Sequence, residues 1–281
     1  MGEKEQLGLF QRRSPVDLPE NSKALVASLQ RYNAAYRAGE PLISDGEYDL
    51  LVERLRKLDP RHPFLHQVEP EALGDRAPVR HPTPMLSTQK AYSKKELESW
   101  VARMEKVAQE VGLSEVEYRI TPKLDGLAGR DEKGVFSTRG NGRVGANISF
   151  AWERGIVPIS GRGLGVGEIV ISKTYFDEHL SESFEHPRNL CVGIVSADVV
   201  NEEAKIALEA GAVHFVPYVG LISWSGTGQE MLEHLEQITS DLKEQVDYAL
   251  DGLVAEVVDQ SMRTRLGATN HHNRWQIAIK E

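Results

Sequence analysis

Lys123 and Asp125 stand two residues apart in T-P-K-L-D-G-L-A-G-R (121–130), directly after an apolar run and just before Gly126. A lysine attacks phosphorus only as the neutral amine. A nucleophilic Lys123 therefore requires a pKa pulled down from about 10.4 by burial or by nearby cations. An acidic neighbour alone acts the other way, so Asp125 suits such a site as a group that orients the amine or binds a sugar hydroxyl. The same residues also read as a strand-end turn, because Asp-Gly is a common turn pair. K-x-D-G alone leaves both readings standing.

Three more charged residues sit in apolar surroundings: Glu168 in G-E-I-V, Asp251 in D-G-L-V and Lys280 in I-A-I-K. Charges embedded in apolar strands are costly unless they meet each other or a ligand. Glu168 and Asp251 together offer a Mg²⁺ site, and the lysines a phosphate site. Gly140, Gly142 and Gly145 match G-x-G-x-x-G, but the following A-N-I-S-F-A-W-E-R-G has no clear helical period, so a dinucleotide fold of the Rossmann kind is not supported. As a glycine-rich loop flanked by Arg139 and Arg143, it suits a phosphate.

Helices and short strands must position these residues. Leu25, Leu29, Tyr32 and Tyr36 make one face of a helix over 21–38, and Gly39 stops it. A second helix starts at Ser44 with a Ser44–Glu47 capping box, carries Tyr48, Leu51, Leu55 and Leu58, and ends at Pro60. The first 20 residues read as a loose arm, and 60–84 as a linker with a domain boundary near 72. A third helix runs from Ser93 to Val111, with Leu97, Trp100, Met104, Val107 and Val111 inward and Gly112 closing it. Beyond 116 the pattern changes to short strands: E-Y-R-I-T-P-K-L-D-G and L-A-G-R-D-E-K-G-V-F-S-T-R-G as paired strands with a turn at 132–134, then 166–172, 213–219, 249–259 and 274–281. Helices fall near 202–210 and 229–243. The fold class is α+β: a small helical domain (1–72) followed by a mixed-sheet domain (73–281), not a doubly wound sheet.

The chain has 281 residues and a net charge of −9, which disfavours gripping nucleic acid as its main task but leaves room for a local basic groove. One cysteine, Cys191, makes neither an intrachain disulfide nor a cysteine zinc site, and the expected compartment is the reducing cytoplasm. No apolar run reaches the ~18 residues of a membrane span.

The ordered segments K-L-D-G (123–126), T-R-G-N-G (138–142), G-E-I-V (167–170), H-P-R-N (186–189), D-G-L-V (251–254) and R-W-Q-I-A-I-K (274–280) resemble the nucleotidyltransferase motifs of bacterial NAD-dependent DNA ligases. Y-R-A-G-E-P-L-I-S-D-G-E-Y-D (36–49) resembles that family's N-terminal helical domain, and R-H-P-T-P-M-L-S (80–87) the segment after it. The resemblance covers roughly 22–281 and implies a ligase-type adenylation domain, unlike an ATP-grasp. It implies that Lys123 attacks the α-phosphorus of NAD, releases nicotinamide mononucleotide (NMN) and carries AMP to a 5′-phosphorylated DNA nick. Asp125 would support the lysine and the sugar, and Glu168 and Arg139 would hold ribose and phosphate. Asp251 would stabilise the transition state through Mg²⁺, Lys280 would neutralise the α-phosphate, and Arg188 would lie near the reacting phosphates. Ser87 joins the NAD-binding set, and Tyr36, Asp45, Tyr48 and Asp49 would bind the NMN half. Without the resemblance, Tyr36 and Tyr48 read as core.

The chain departs from the family pattern. Thr121 stands where a glutamate is usual, Glu256 where a lysine is usual, Ser196 about where an arginine is expected, and Arg37 where a histidine is usual; an arginine is also missing before Gly167-Glu168. Each exchange but Arg37 weakens the expected phosphate binding, which motivates the competing expectation of a catalytically impaired NAD-binding relative with a regulatory or subunit role. An RNA ligase or capping-type enzyme is a third class, disfavoured by the helical pair. The family's OB-fold, zinc, helix-hairpin-helix and BRCT domains have no counterpart here, so the expectation is a fragment or subunit that reaches nicked DNA through other domains or a partner.

Overall fold

The computed structural model describes residues 21–37, 42–43, 45–66 and 76–280. The expected arm over 1–20, the Ser44 cap and the boundary near 72 lie outside the described residues. Helices α1 (Ser22–Arg37) and α2 (Asp45–Leu58) close around Leu25, Leu29, Leu51 and Leu55, all fully buried. Asn21 caps α1 by accepting the Ala24 N–H at 2.8 Å. The segment read as a linker is partly ordered. It contains a 3₁₀ turn at Pro63–His66 and strand β1 (Pro78–Arg80), which pairs antiparallel with β6 (Val144–Ala146).

The rest consists of two five-stranded sheets. The first has the order β10 (Trp224–Thr227), β3 (Glu117–Leu124), β11 (Leu250–Val257), β12 (His272–Ile279), β2 (Ser87–Ala91). It is antiparallel except for the parallel β12–β2 pair. One face is covered by α3 (Lys94–Glu110), α8 (Gly228–Glu244) and α9 (Gln260–Leu266), whose core holds Trp100, Tyr118, Ile120, Met231, Leu253 and Ile277. The second sheet runs β5 (Val135–Thr138), β4 (Leu127–Glu132), β8 (Gly165–Ile171), β9 (Val213–Pro217), β7 (Val157–Pro158). It packs against α4 (Ala151–Arg154), α5 (Lys173–His179), α6 (Pro187–Ser196) and α7 (Glu202–Glu209) around Phe136, Ile148, Ile169, Cys191 and Phe215.

The pairing of 117–126 with 127–140 is corrected in one respect. The hairpin is β4–β5 alone, turning through Lys133 (φ 52°) and Gly134 (φ 78°). Strand β3 belongs to the first sheet and β4 to the second, so the chain changes sheets at Asp125-Gly126. Gly126 is required there because a Cβ would stand 2.1 Å from the Ile169 carbonyl oxygen of β8. A second change of sheet follows β9, through a 3₁₀ turn at Tyr218–Gly220 into β10. Leu124, Val170 and Val216, flanked by Leu221 and Leu250, form the apolar seam between the sheets.

Candidate active site

On β3 the side chains alternate. Tyr118 and Ile120 enter the core, while Arg119 and Lys123 stay part-exposed on the other face with the buried Thr121 between them. Lys123 therefore ends its strand beside the sheet crossing. Two strands supply its neighbours. β11 bulges at Asp251-Gly252, where Gly252 (φ 97°) lets the backbone pass within Cβ-excluding distance of the Ile279 carbonyl. β12 delivers Lys280 at its end. Lys123 Nζ donates to Asp251 Oδ2 at 2.9 Å, and Lys280 Nζ donates to the same oxygen. The charges in the D-G-L-V and I-A-I-K strands meet, as their apolar settings demand.

The second sheet contributes Glu168 from β8, buried, with the Tyr218 hydroxyl donating to its Oε2. Helix α6, begun by Pro187 at its first position, carries Arg188 in its first turn. Arg188 Nη1 lies 3.5 Å from Asp125 Oδ1. The far end of α6 is held by Arg154, which donates to the Ile194 and Ala197 carbonyls, and by Arg76, which donates to the Ser196 carbonyl at 3.2 Å. Cations at a helix C-terminus oppose its negative end. So although Ser196 carries no charge, two arginines from other segments reach the chain at that point.

The electrostatics differ from the expectation for a resting nucleophile. Burial pulls the Lys123 ammonium towards neutrality, but Asp251 by charge and hydrogen bond, with Glu168 behind it, outweighs burial and holds the pKa above its ordinary value. Burial would raise Asp251, but Lys123 and Lys280 keep it below the usual carboxylate range. Burial raises Glu168 despite the Tyr218 hydrogen bond and the charges of Lys123 and Arg188. Tyr218 is itself raised by burial and by Glu168.

Lys123, Asp125, Glu168, Arg188, Asp251 and Lys280 thus form one charged centre at the seam. Arg139 acts by its charge on Tyr218, and with Ser87 it lines an adjoining cleft of about 400 Å³ that includes Arg143, Asn270 and His271. Of the G-x-G-x-x-G stretch, Gly140 and Gly142 lie in the loop joining β5 to β6 and Gly145 lies in β6; the next helix is the four-residue α4, too short and too late to cap a dinucleotide phosphate. Tyr48 packs on the α1–α2 core. The side chains of Tyr36, Asp45 and Asp49 lie outside the described residues.

Glu168 and Asp251 as placed do not make a Mg²⁺ site. Each has an oxygen committed to a donor, and two ammonium groups already neutralise Asp251 and repel a cation. Among the described residues no group of three or more His, Cys, Asp and Glu is arranged so that it could hold a metal ion. Sequence reasoning missed Tyr218, which the pattern V-H-F-V-P-Y-V absorbed into a strand. It lies instead in the 3₁₀ turn, with the residue as a whole 37% exposed and its hydroxyl anchored.

Fold and site define a class: an α+β protein of two sheets joined at a lysine–carboxylate centre, preceded by a helical pair. Residues 74–221 match the NAD-dependent DNA ligase adenylation domain, and residues 16–70 the DNA ligase-like N-terminal NAD⁺-binding domain. A DNA ligase of Desulfatibacillum aliphaticivorans is 56% identical over 252 residues, covering 90% of this chain and 40% of that protein. A DNA ligase of Desulfotalea psychrophila is 42% identical over 273 residues, covering 95% and 40%. The chain belongs to the NAD-dependent DNA ligase family. It spans about two fifths of the length of these curated relatives. Among the described residues no helix is long and apolar enough to cross a membrane.

Proposed function

We propose that this chain is the NAD-reading, self-adenylating module of a DNA ligase, with domains at 1–72 and 73–281. The observation that carries the reading is the position of Lys123 at the sheet crossing, sharing Asp251 with Lys280 and facing Glu168. Lys123 Nζ loses its proton and attacks the α-phosphorus of NAD. The P–N bond forms, the bond to the bridging oxygen breaks, and NMN leaves, so that AMP stays on the lysine as a phosphoramidate. Lys280 and Arg188 face the developing negative charge. Glu168 accepts a ribose hydroxyl, and the ring of the part-exposed Tyr218 stacks on the base. Arg139 and Ser87 bound the phosphate side, and Asp125 holds Arg188 in place. Tyr36, Asp45, Tyr48 and Asp49 take the NMN half. Mg²⁺ fits only as an ion carried in on the nucleotide phosphates, and no step here is routed through it. AMP then passes to the 5′-phosphate of a DNA nick held mainly by parts of the longer protein.

Incubation with Mg²⁺ and either NAD or ATP, followed by intact mass, tests this. The expected result is an AMP adduct from NAD only, absent in Lys123→Ala. An adduct from ATP or GTP would overturn the NAD assignment, and no adduct from any nucleotide would favour the impaired relative. That alternative is weakened by the 56% identity to a curated DNA ligase.

A further inference from the structure

Glu256, the charge reversal at a position where the family usually has lysine, does not stand in the site as a bare anion. Arg119 Nη1 donates to its Oε1 at 3.2 Å, Arg263 Nη2 lies 3.4 Å from the same oxygen, and Gln276 Nε2 donates to Oε2 at 3.0 Å. Arg263 is fixed in turn with its guanidinium 4.2 Å over the Trp275 ring. Glu256 and Arg119 are direct register partners on β11 and β3, on the same face as Thr121 and Lys123. The other edge of Arg119 leaves its own sheet. Its Nη2 donates to the Leu221 carbonyl at 3.2 Å and the Tyr218 carbonyl at 3.4 Å. Those carbonyls belong to the turn by which the chain returns from the second sheet to the first, and the Tyr218 hydroxyl in that turn donates to Glu168.

Guanidinium is the side chain suited to such a task, because its rigid fork serves a carboxylate on one edge and carbonyls on the other, which an ammonium cannot do. An exposed ion pair between neighbouring strands contributes little. This pair is largely shielded, with side-chain exposures of 25% for Arg119 and 15% for Glu256, and its second function is to tether a turn of the other sheet.

We infer that Arg119, oriented by Glu256, is a positioning residue that holds the Tyr218 turn against the first sheet and so sets the ring and the Glu168 carboxyl for the nucleotide. The inference rests on the adenylation reading of the site. In this chain the charge exchange at 256 is then part of a relocated device, and reinstating lysine there damages it.

The test is NAD-driven self-adenylation of the 281-residue chain, followed by mass. Initial rates against NAD concentration give KM, the single-turnover rate at saturation is measured separately, and melting temperature is read in parallel. Arg119→Met and Glu256→Lys are each expected to raise KM about tenfold with the saturated rate within about threefold, the pattern of lost binding rather than lost chemistry. The swap Arg119→Glu with Glu256→Lys restores the β3–β11 ion pair but leaves no donor for the two carbonyls. It is expected to recover melting temperature and not KM. Recovery of KM along with melting temperature would reduce the pair to a brace and overturn the inference, as would a wild-type KM in Arg119→Met. Should that variant not fold, Arg119→Lys decides. It keeps the charge opposite Glu256 but cannot serve both partners, so KM rises about threefold; an unchanged KM overturns the inference. Absence of any adduct in the wild-type chain indicts the adenylation reading instead.

Discussion

The two sheets are alike in strand number and in having helices against one face, yet they bring opposite electrostatics to the seam. The first presents two lysines on one carboxylate: Asp251 sits below its ordinary pKa and Lys123 above. The second presents Glu168, buried, raised in pKa and hydrogen-bonded by a phenol. The difference separates two tasks. A cation–carboxylate–cation cluster is ready to exchange its anion for a phosphate, since a phosphate oxygen offers both ammonium groups what Asp251 offers them at rest. A desolvated carboxylate with a fixed donor is suited to receive neutral sugar hydroxyls. On the proposed adenylation, the raised Lys123 pKa makes the resting lysine a poor nucleophile, and release of the amine is assigned to the arriving nucleotide, which would draw Asp251 and Lys280 into new partnerships.

Breaking the first sheet's cluster has the largest expected effect. Lys123→Ala and Lys123→Arg both abolish the AMP adduct, a loss on the order of 10³-fold or more for a covalent nucleophile, read by intact mass. Asp251→Asn removes the main group that raises the Lys123 pKa and leaves burial and Arg188 to lower it against Glu168 alone. The self-adenylation rate at saturating NAD falls about 10²-fold at its optimum, and its rising limb with pH moves to lower pH. A rising limb that stays in place would show that Asp251 does not control the proton on Lys123.

Deleting residues 1–72 removes the helical pair without touching either sheet. NAD-driven adenylation is expected to be lost, while ligation of pre-adenylated nicked DNA, with the missing domains supplied, continues. Retained reaction with NAD would make Tyr36, Asp45 and Asp49 structural. On the second sheet, Tyr218→Phe keeps the ring and removes the donor to Glu168. The expected cost is about threefold to tenfold in KM for NAD, the size of one intramolecular hydrogen bond.

The helices were legible in the sequence where caps and period agreed. Ser93 caps α3 by accepting the Glu96 N–H, where the sequence pointed to the start; α8 was legible from its period alone, and its cap, Thr227 accepting the Glu230 N–H, was not read. Helix α6 was missed because P-R-N-L-C-V-G-I-V-S has a glycine and β-branched residues in its interior; Pro187 at its first position was the available signal. Glu168, Asp251 and Lys280 were legible as a set because each is improbable in an apolar strand. Their pairing was not, because Asp251 reaches Lys123 and Lys280 through register across three strands, and register depends on contacts far apart in sequence. The two readings of K-L-D-G prove compatible: Asp125-Gly126 turns the chain, and the turn places Lys123 at the seam. Thr121 needs no compensating charge in the fold, being buried opposite Val254. The role of Arg119 was half legible, since alternation sets it on the lysine's face, but its reach to Tyr218 depends on the second crossing.

The smallest expected effect is on stability, and it has opposite signs in the two sheets. For Asp251 the folded pKa is depressed, so its contribution is present above the unfolded value near 3.8 and is lost as pH falls through the folded value. For Glu168 the folded pKa is raised above 4.5, so the folded state binds more protons, and its contribution favours folding at low pH and is lost as pH rises towards the folded value. Glu168→Gln removes the ionisation and keeps an oxygen to accept from Tyr218. Its melting temperature relative to wild type is expected to rise with pH from about 4.5 upward and level off once Glu168 is ionised, reaching about 2–4 °C for each kcal/mol gained. Asp251→Asn has the reverse profile, a deficit that is greatest at neutral pH and shrinks towards acid as Asp251 itself protonates. Parallel profiles for the two variants would mean that the carboxylates share one environment, and the contrast between the sheets would not hold.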